Sequence, residues 1–239
     1  MNFDLLKKLC ETPGVPGREE PIRKVVLDEM SALADEVRVD AMGSVVGVRR
    51  GCGGPRVMIA AHMDEIGFYV RHIDEKGFIR LQPVGGFDAR NLVAQRVHVH
   101  GFTGDRLLGV LQTMAKPGAA PEEREKGAKL SELFVDVGMT SENVKHKVEV
   151  GDPVTLARTA EIIGGNVVSK SLDNRLSVFV MLEALRALSA HQCEIFAVAT
   201  TQEEVGLRGA SAAAYHLKPD VGIALDVTLA LDYPGGTEA

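Results

Sequence analysis

The chain has 239 residues, 45% of them hydrophobic and 25% charged, and a net charge of −6. These proportions suit a soluble globular protein, and the acidic balance argues against nucleic acid or an anionic membrane surface as the main partner. Cys10, Cys52 and Cys193 are an odd number at wide spacing with no CxxC, which speaks for reduced thiols and against a disulfide framework or a thiolate zinc site.

The N-terminal stretch MNFDLLKKLCETPG contains acidic residues and lacks the apolar core of a signal peptide. No window approaches the roughly 18 apolar residues of a membrane span. A cytoplasmic protein is expected. Residues 2–11 and 18–34 read as helices, the second with Ile22, Val25, Val26, Met30 and Leu33 forming one apolar stripe. Short strands follow at EVRVD, SVVGVRR and VMIAAH, with a turn at GCGGP. No helix with GK[ST] follows those glycines, so they read as a turn and not as a phosphate loop.

From about residue 69 to 164 helical periodicity gives way to β-prone runs between glycine-containing turns: GFIRLQPV, QRVHVHG, RLLGVLQT, ELFVDVG and VEVGDPVTL. That texture predicts a small β-barrel or sandwich. The polar patch at 117–129 reads as a solvated loop. His98 and His100, two apart, read more simply as the outward face of a strand than as a metal pair. After residue 165 the expectation is a helix over 172–190, a buried strand over 193–201, a helix over 208–217 and another buried strand over 220–227. The predicted fold is thus an α/β sheet with helices on both faces, interrupted by a β-rich, barrel-like insertion. Its α/β domain comprises residues 1–68 and 165–239, and the insertion spans 69–164.

The apolar run PRVMIAAH leads into His62 and then the carboxylate pair Asp64 and Glu65. Leaving such groups buried and unpaired would cost several kcal/mol, about 2–7 for a neutral polar group. Other polar groups sit at the ends of elements: Asp173 in SLDNR, Glu203 and Glu204 in ATTQEEVGLRGA, and Asp226 in ALDVT. In open α/β sheets ligands bind at the carboxyl ends of the strands. One histidine and several carboxylates meeting there would repel one another without a cation. Two divalent ions about 3.5–4 Å apart, bridged by a carboxylate, would relieve the repulsion and activate a water. Singly, each piece also has an ordinary reading: HxD as a surface pair, EE as a solvated turn, Asp173 as a helix N-cap, Asp226 as a loop cap. Their joint occurrence at the ends of apolar runs favours a site.

AHMDEIGF, SLDNR, TQEEVGLRGA and ALDV, in this order, resemble the M42 metalloaminopeptidases, the group that includes the tetrahedral TET aminopeptidases. The resemblance covers essentially the whole chain, the insertion included. It implies that His62 and Asp226 hold one divalent metal ion, that Asp173 bridges two, that Glu204 binds the second, that Glu203 is general base and acid, and that Asp64 stands behind His62. Zinc or cobalt is the expected metal, with manganese also compatible with such ligands. The resemblance further implies peptide substrates, a β-rich dimerisation domain at 69–164, and dimers building to a dodecamer. In H-x-D, residues two apart on a strand point the same way, so Asp64 can accept a hydrogen bond from the imidazole.

By resemblance, family members run about a hundred residues longer and a late histidine completes the second metal site. This chain stops at DYPGGTEA, and His216 matches no family ligand. The expectation is a truncated chain that holds one ion more tightly than the second. Rival readings are a metal-dependent amidase or deacylase on acylated metabolites, and an inactive assembly subunit. A glycosidase carboxylate pair would leave His62, Asp64 and Asp173 unexplained.

Overall fold

The computed structural model describes residues 1–113 and 129–232. The loop expected at 117–129 falls, except for Lys129, outside the described residues, as does the end of DYPGGTEA. Helix α1, Phe3–Glu11, begins where the Asn2 side chain accepts the Leu5 N–H at 3.2 Å, which satisfies one of the donors a helix start leaves open. Helix α2, Glu20–Ser31, carries Pro21 in its first turn, where a missing N–H removes no intrahelical bond. It is shorter than the expected 18–34 because Gly17, at φ +86°, turns the chain just before it. After it, Asp35 N already donates to Val48 O of the sheet.

Strands β1 (Glu36–Val39) and β2 (Val45–Arg49) form a hairpin, and β3 (Arg56–His62) follows. The chain then builds a closed barrel. Its strands are β4 (Gly67–Ile73), β5 (Ile79–Val84), β6 (Arg96–His100), β7 (Arg106–Thr113), β8 (Leu133–Asp136) and β9 (Pro153–Leu156), ordered β4-β5-β8-β7-β6-β9. Helix α3, Ser141–Lys145, lies between β8 and β9. Of VEVGDPVTL only PVTL is strand. Asp152 accepts the Glu149 and Phe102 N–H groups and Gly151 has φ +98°, so the first half turns instead of pairing. A hairpin of β10 (Glu161–Ile163) and β11 (Asn166–Val168), not singled out in the sequence, returns the chain to the α/β part.

Helix α4 (Leu172–Ala187), strand β12 (Glu194–Thr200), helix α5 (Arg208–Leu217) and strand β13 (Val221–Ala224) complete the sheet in the order β1-β2-β12-β3-β13. β12 and β13 run parallel to β3, and β2 runs antiparallel to β12. Alternate residues face opposite layers. Val45, Ala197 and Ala199 pack under α1, α2 and α4 with Leu9, Met30 and Leu182. Val46, Val48, Phe196 and Val198 pack against Ala213 and Leu217 of α5. Complete burial of each Leu or Val side chain contributes about 1.5–3 kcal/mol. A separate core of Phe68, Val70, Val97, Leu111 and Val154 fills the barrel.

One strand departs from expectation. The sequence predicts a buried strand over 220–227, yet all four residues of β13 are exposed. It is the last strand of the sheet and pairs, among the described residues, with β3 alone. An apolar run at a sheet edge looks in sequence like a central strand.

Candidate metal centre

The parallel register decides where the polar groups meet. Thr200 of β12 lies opposite His62 of β3, and Ala224 of β13 opposite Ala60. The carboxyl ends of three adjacent strands therefore share one edge. There β3 delivers His62, the turn after β12 delivers Glu203 and Glu204, and the residues after β13 deliver Asp226. Asp173 comes from the first turn of α4, ahead of its regular part. With φ −78° and ψ 108° it is extended and not part of the regular helix. Asn174 Nδ2 donates to Leu225 O at 2.9 Å and so ties Asp173 to the Asp226 segment.

His62 is almost wholly buried, and its Nε2 lies 3.1 Å from Asp173 Oδ1, 3.7 Å from Glu203 Oε2 and 4.0 Å from Asp226 Oδ1. Burial alone would lower the imidazole pKa, but the bond to Asp173 and the Asp64 and Glu203 carboxylates outweigh it and raise it to about 10. Without another cation the imidazolium is the positive charge nearest these acids. Burial, then the Asp173 charge, pushes Glu204 up to about 7. Burial also raises Glu203.

Asp64 is fully buried. Its Oδ1 stands 3.5 Å from His62 Nδ1, which has no hydrogen-bond partner. Its two oxygens accept the backbone N–H groups of Glu203 and Glu204, each at 3.1 Å. Sequence reasoning placed Asp64 behind the imidazole; it did not foresee this hold on the opposite turn.

Glu65 is almost wholly buried and lines a cavity shared with Asp173 and Glu204. It meets Lys170, Ser171 and the completely buried Arg175. Glu19, Lys170 and Arg175 were missed. The partners that matter most lie 105 to 183 residues away, and no local spacing marks them. His98 and His100 stay half-buried on β6, with His100 Nε2 2.9 Å from Thr155 Oγ1.

Two sets of three side chains, His62 with Glu203 and Asp226, and His62 with Asp173 and Glu204, have ligand atoms all within 4.8 Å of one another. One imidazole whose Nε2 faces the carboxylates of Asp173, Glu203 and Asp226 fits borderline divalent ions such as zinc, cobalt or manganese. Beside Asp173 and Glu204 opens a cavity of about 240 Å³ whose walls include Ile66, Gly86, Leu156 and Lys170.

Residues 43–239 match the family model of the M42 glutamyl aminopeptidases, and the chain belongs to that family. A putative aminopeptidase of Acetivibrio thermocellus is 40% identical, with 97% of this chain and 68% of that protein covered. The solved structure of aminopeptidase APDkam598 from the archaeon Desulfurococcus kamchatkensis has a TM-score of 0.91 at 41% identity, covering 98% of this chain and 65% of that one. The Pyrococcus horikoshii TET1 peptidase, described as assembling into a tetrahedron or a large octahedral shell, has a TM-score of 0.82 at 33% identity over 94% of this chain and 68% of its own. The chain spans about two thirds of the length of these relatives.

Proposed function

We propose that this chain carries the metal centre of an aminopeptidase that removes N-terminal residues from peptides. The supporting observation is the convergence of His62, Asp173, Glu203, Glu204 and Asp226 at one strand edge. His62, Asp173, Glu204 and Asp226 are the residues that would hold two divalent ions, zinc or cobalt by preference. When bound, such ions polarise the scissile carbonyl and acidify a water. Glu203, one residue from Glu204 and partly open to solvent, would take a proton from the attacking water and return it to the departing amine. Asp64 fixes the backbone from which Glu203 and Glu204 project. The cavity beside Asp173 and Glu204 receives a substrate side chain.

Self-association through the barrel region, 69–164, accompanies this activity. Support comes from the described assemblies of the Pyrococcus horikoshii relative and from the exposed Ile162 and Ile163 of the neighbouring hairpin. A cytoplasmic location is part of the same reading. Among the described residues no helix is long and apolar enough to cross a membrane.

The test is Glu203→Gln. Hydrolysis of aminoacyl anilides should fall at least a hundredfold while metal content stays unchanged. Undiminished turnover would remove Glu203 from the mechanism.

A further inference from the structure

Three consecutive backbone N–H groups, those of Gln202, Glu203 and Glu204, all end on buried carboxylates. Gln202 N donates to Glu19 Oε1 at 3.2 Å, Glu203 N to Asp64 Oδ1 and Glu204 N to Asp64 Oδ2, both at 3.1 Å. Glu19 is 1% exposed and Asp64 0%. Glu19 occupies the position just before α2 and makes no capping bond. Its Oε1 instead spans Gly17 N, at 2.8 Å, and Gln202 N, 183 residues away.

The other side of the turn is equally engaged. Glu203 O accepts from Gly206 N and Leu207 N, Gln202 O from Arg208 N, and Thr201 O from Gly209 N, which joins the turn to the start of α5. Gln202 has φ +54°, a left-handed conformation that a non-glycine residue keeps only when its surroundings demand it. Successive N–H groups around such a residue form a concave anion-binding nest. Here two side chains of the protein itself fill the nest.

We propose that Glu19 and Asp64 form a carboxylate cradle that sets the Gln202–Glu204 backbone and so aims Glu203 and Glu204 into the metal centre. Glu19, from the start of α2, is then a positioning residue that acts through the turn without touching the reacting atoms. This rests on the assignment of Glu204 as a metal ligand. A carboxyl side chain one rotamer out of place loses coordination, and outer partners of ligands commonly govern about 10- to 100-fold in metal affinity.

Amide hydrogen exchange of the metal-free chain, cobalt(II) titration and thermal melting test the proposal together. In the unaltered chain the 202–204 amides should exchange far more slowly than exposed turn amides. Glu19→Ala should lose that protection at Gln202 and weaken cobalt(II) binding about tenfold or more. Glu19→Gln keeps an oxygen able to accept both N–H groups and should restore both, which loss of general stability would not predict. Fast exchange at 202–204 in the unaltered chain overturns the cradle, a result that holds even if Glu19→Ala does not fold. Protected amides with cobalt(II) affinity indifferent to Glu19→Ala, or lost equally in Glu19→Gln, overturn the positioning role. An unaltered chain that binds no cobalt(II) overturns the metal-site reading and the positioning role with it, while the exchange data still judge the cradle separately.

Discussion

Lys170 Nζ donates to both carboxylate oxygens of Glu65, at 2.8 and 2.7 Å, with both side chains almost entirely out of water. Ser171 Oγ adds a third bond to Glu65 at 2.6 Å, and Arg175 Nη2 lies 3.7 Å away. One acid thus compensates two buried cations. Removing a single partner of such a group typically costs about 3–5 kcal/mol. Glu65→Ala should therefore lower stability by about that amount, measured as a shifted urea midpoint at constant slope. The double change Glu65→Leu with Lys170→Met should cost less than Glu65→Ala alone. A Glu65→Ala midpoint indistinguishable from the parent would refute the account.

His62 supplies the one imidazole in both sets of candidate ligands. Nitrogen ligation raises affinity for zinc and cobalt above what carboxylates alone achieve. His62→Ala should leave the sheet folded and abolish retention of either ion through dialysis, as read by elemental analysis. Retention of an ion by that variant would place the metal elsewhere.

Gly86 borders the cavity beside Asp173 and Glu204, and a Cβ added there meets nothing within 4 Å. Gly86→Val should consequently fold well and fill part of the space. For aminoacyl anilides the value of kcat/KM should drop about tenfold or more for a leucyl group and little for an alanyl group, in line with the 10–200-fold that single methylenes command. An equal loss for both would remove the cavity from substrate recognition.

His100 offers a pH-dependent stability. Burial first, then the neighbouring His98, holds its imidazole down at about 4 against an ordinary 6.5. Between those values the unfolded chain binds a proton that the folded chain refuses. Stability is therefore complete above about pH 6.5 and is lost as pH falls toward 4, by on the order of 2 kcal/mol. His100→Gln, whose amide can still reach Thr155, should flatten that part of the curve in denaturant titrations at pH 8, 6 and 5. An unchanged slope would show that folding leaves the proton affinity of this imidazole unaltered.

The parts of this architecture legible in the sequence are those where burial leaves a local trace. VMIAAH and EIFAVAT read as covered strands, and their polar endings marked the site edge before any geometry was known. RLLGVLQT matched β7 residue for residue, because period-two alternation and flanking turns are short-range signals. Exposure of β13 was illegible, since hydrophobicity records what a strand can bury and not whether a neighbour covers it. Equally hidden was Glu19. Its sequence context, GREEPI, reads as an ordinary helix start, and only the folded register brings its oxygen to Gln202. The Glu65–Lys170 pair spans 105 residues and left no spacing to detect.

The exposed strand Val221–Ala224 is bound on one side to β3, and two residues beyond its end stands Asp226. Its outer row of backbone groups is, among the described residues, open to pairing. Whatever polypeptide adds to that row and whatever ion draws in Asp226 act on one short segment. If an added strand changes the affinity of Asp226 for an ion, the ion changes the affinity for that strand by the same factor, so a titration of either, carried out at fixed levels of the other, tests for that coupling.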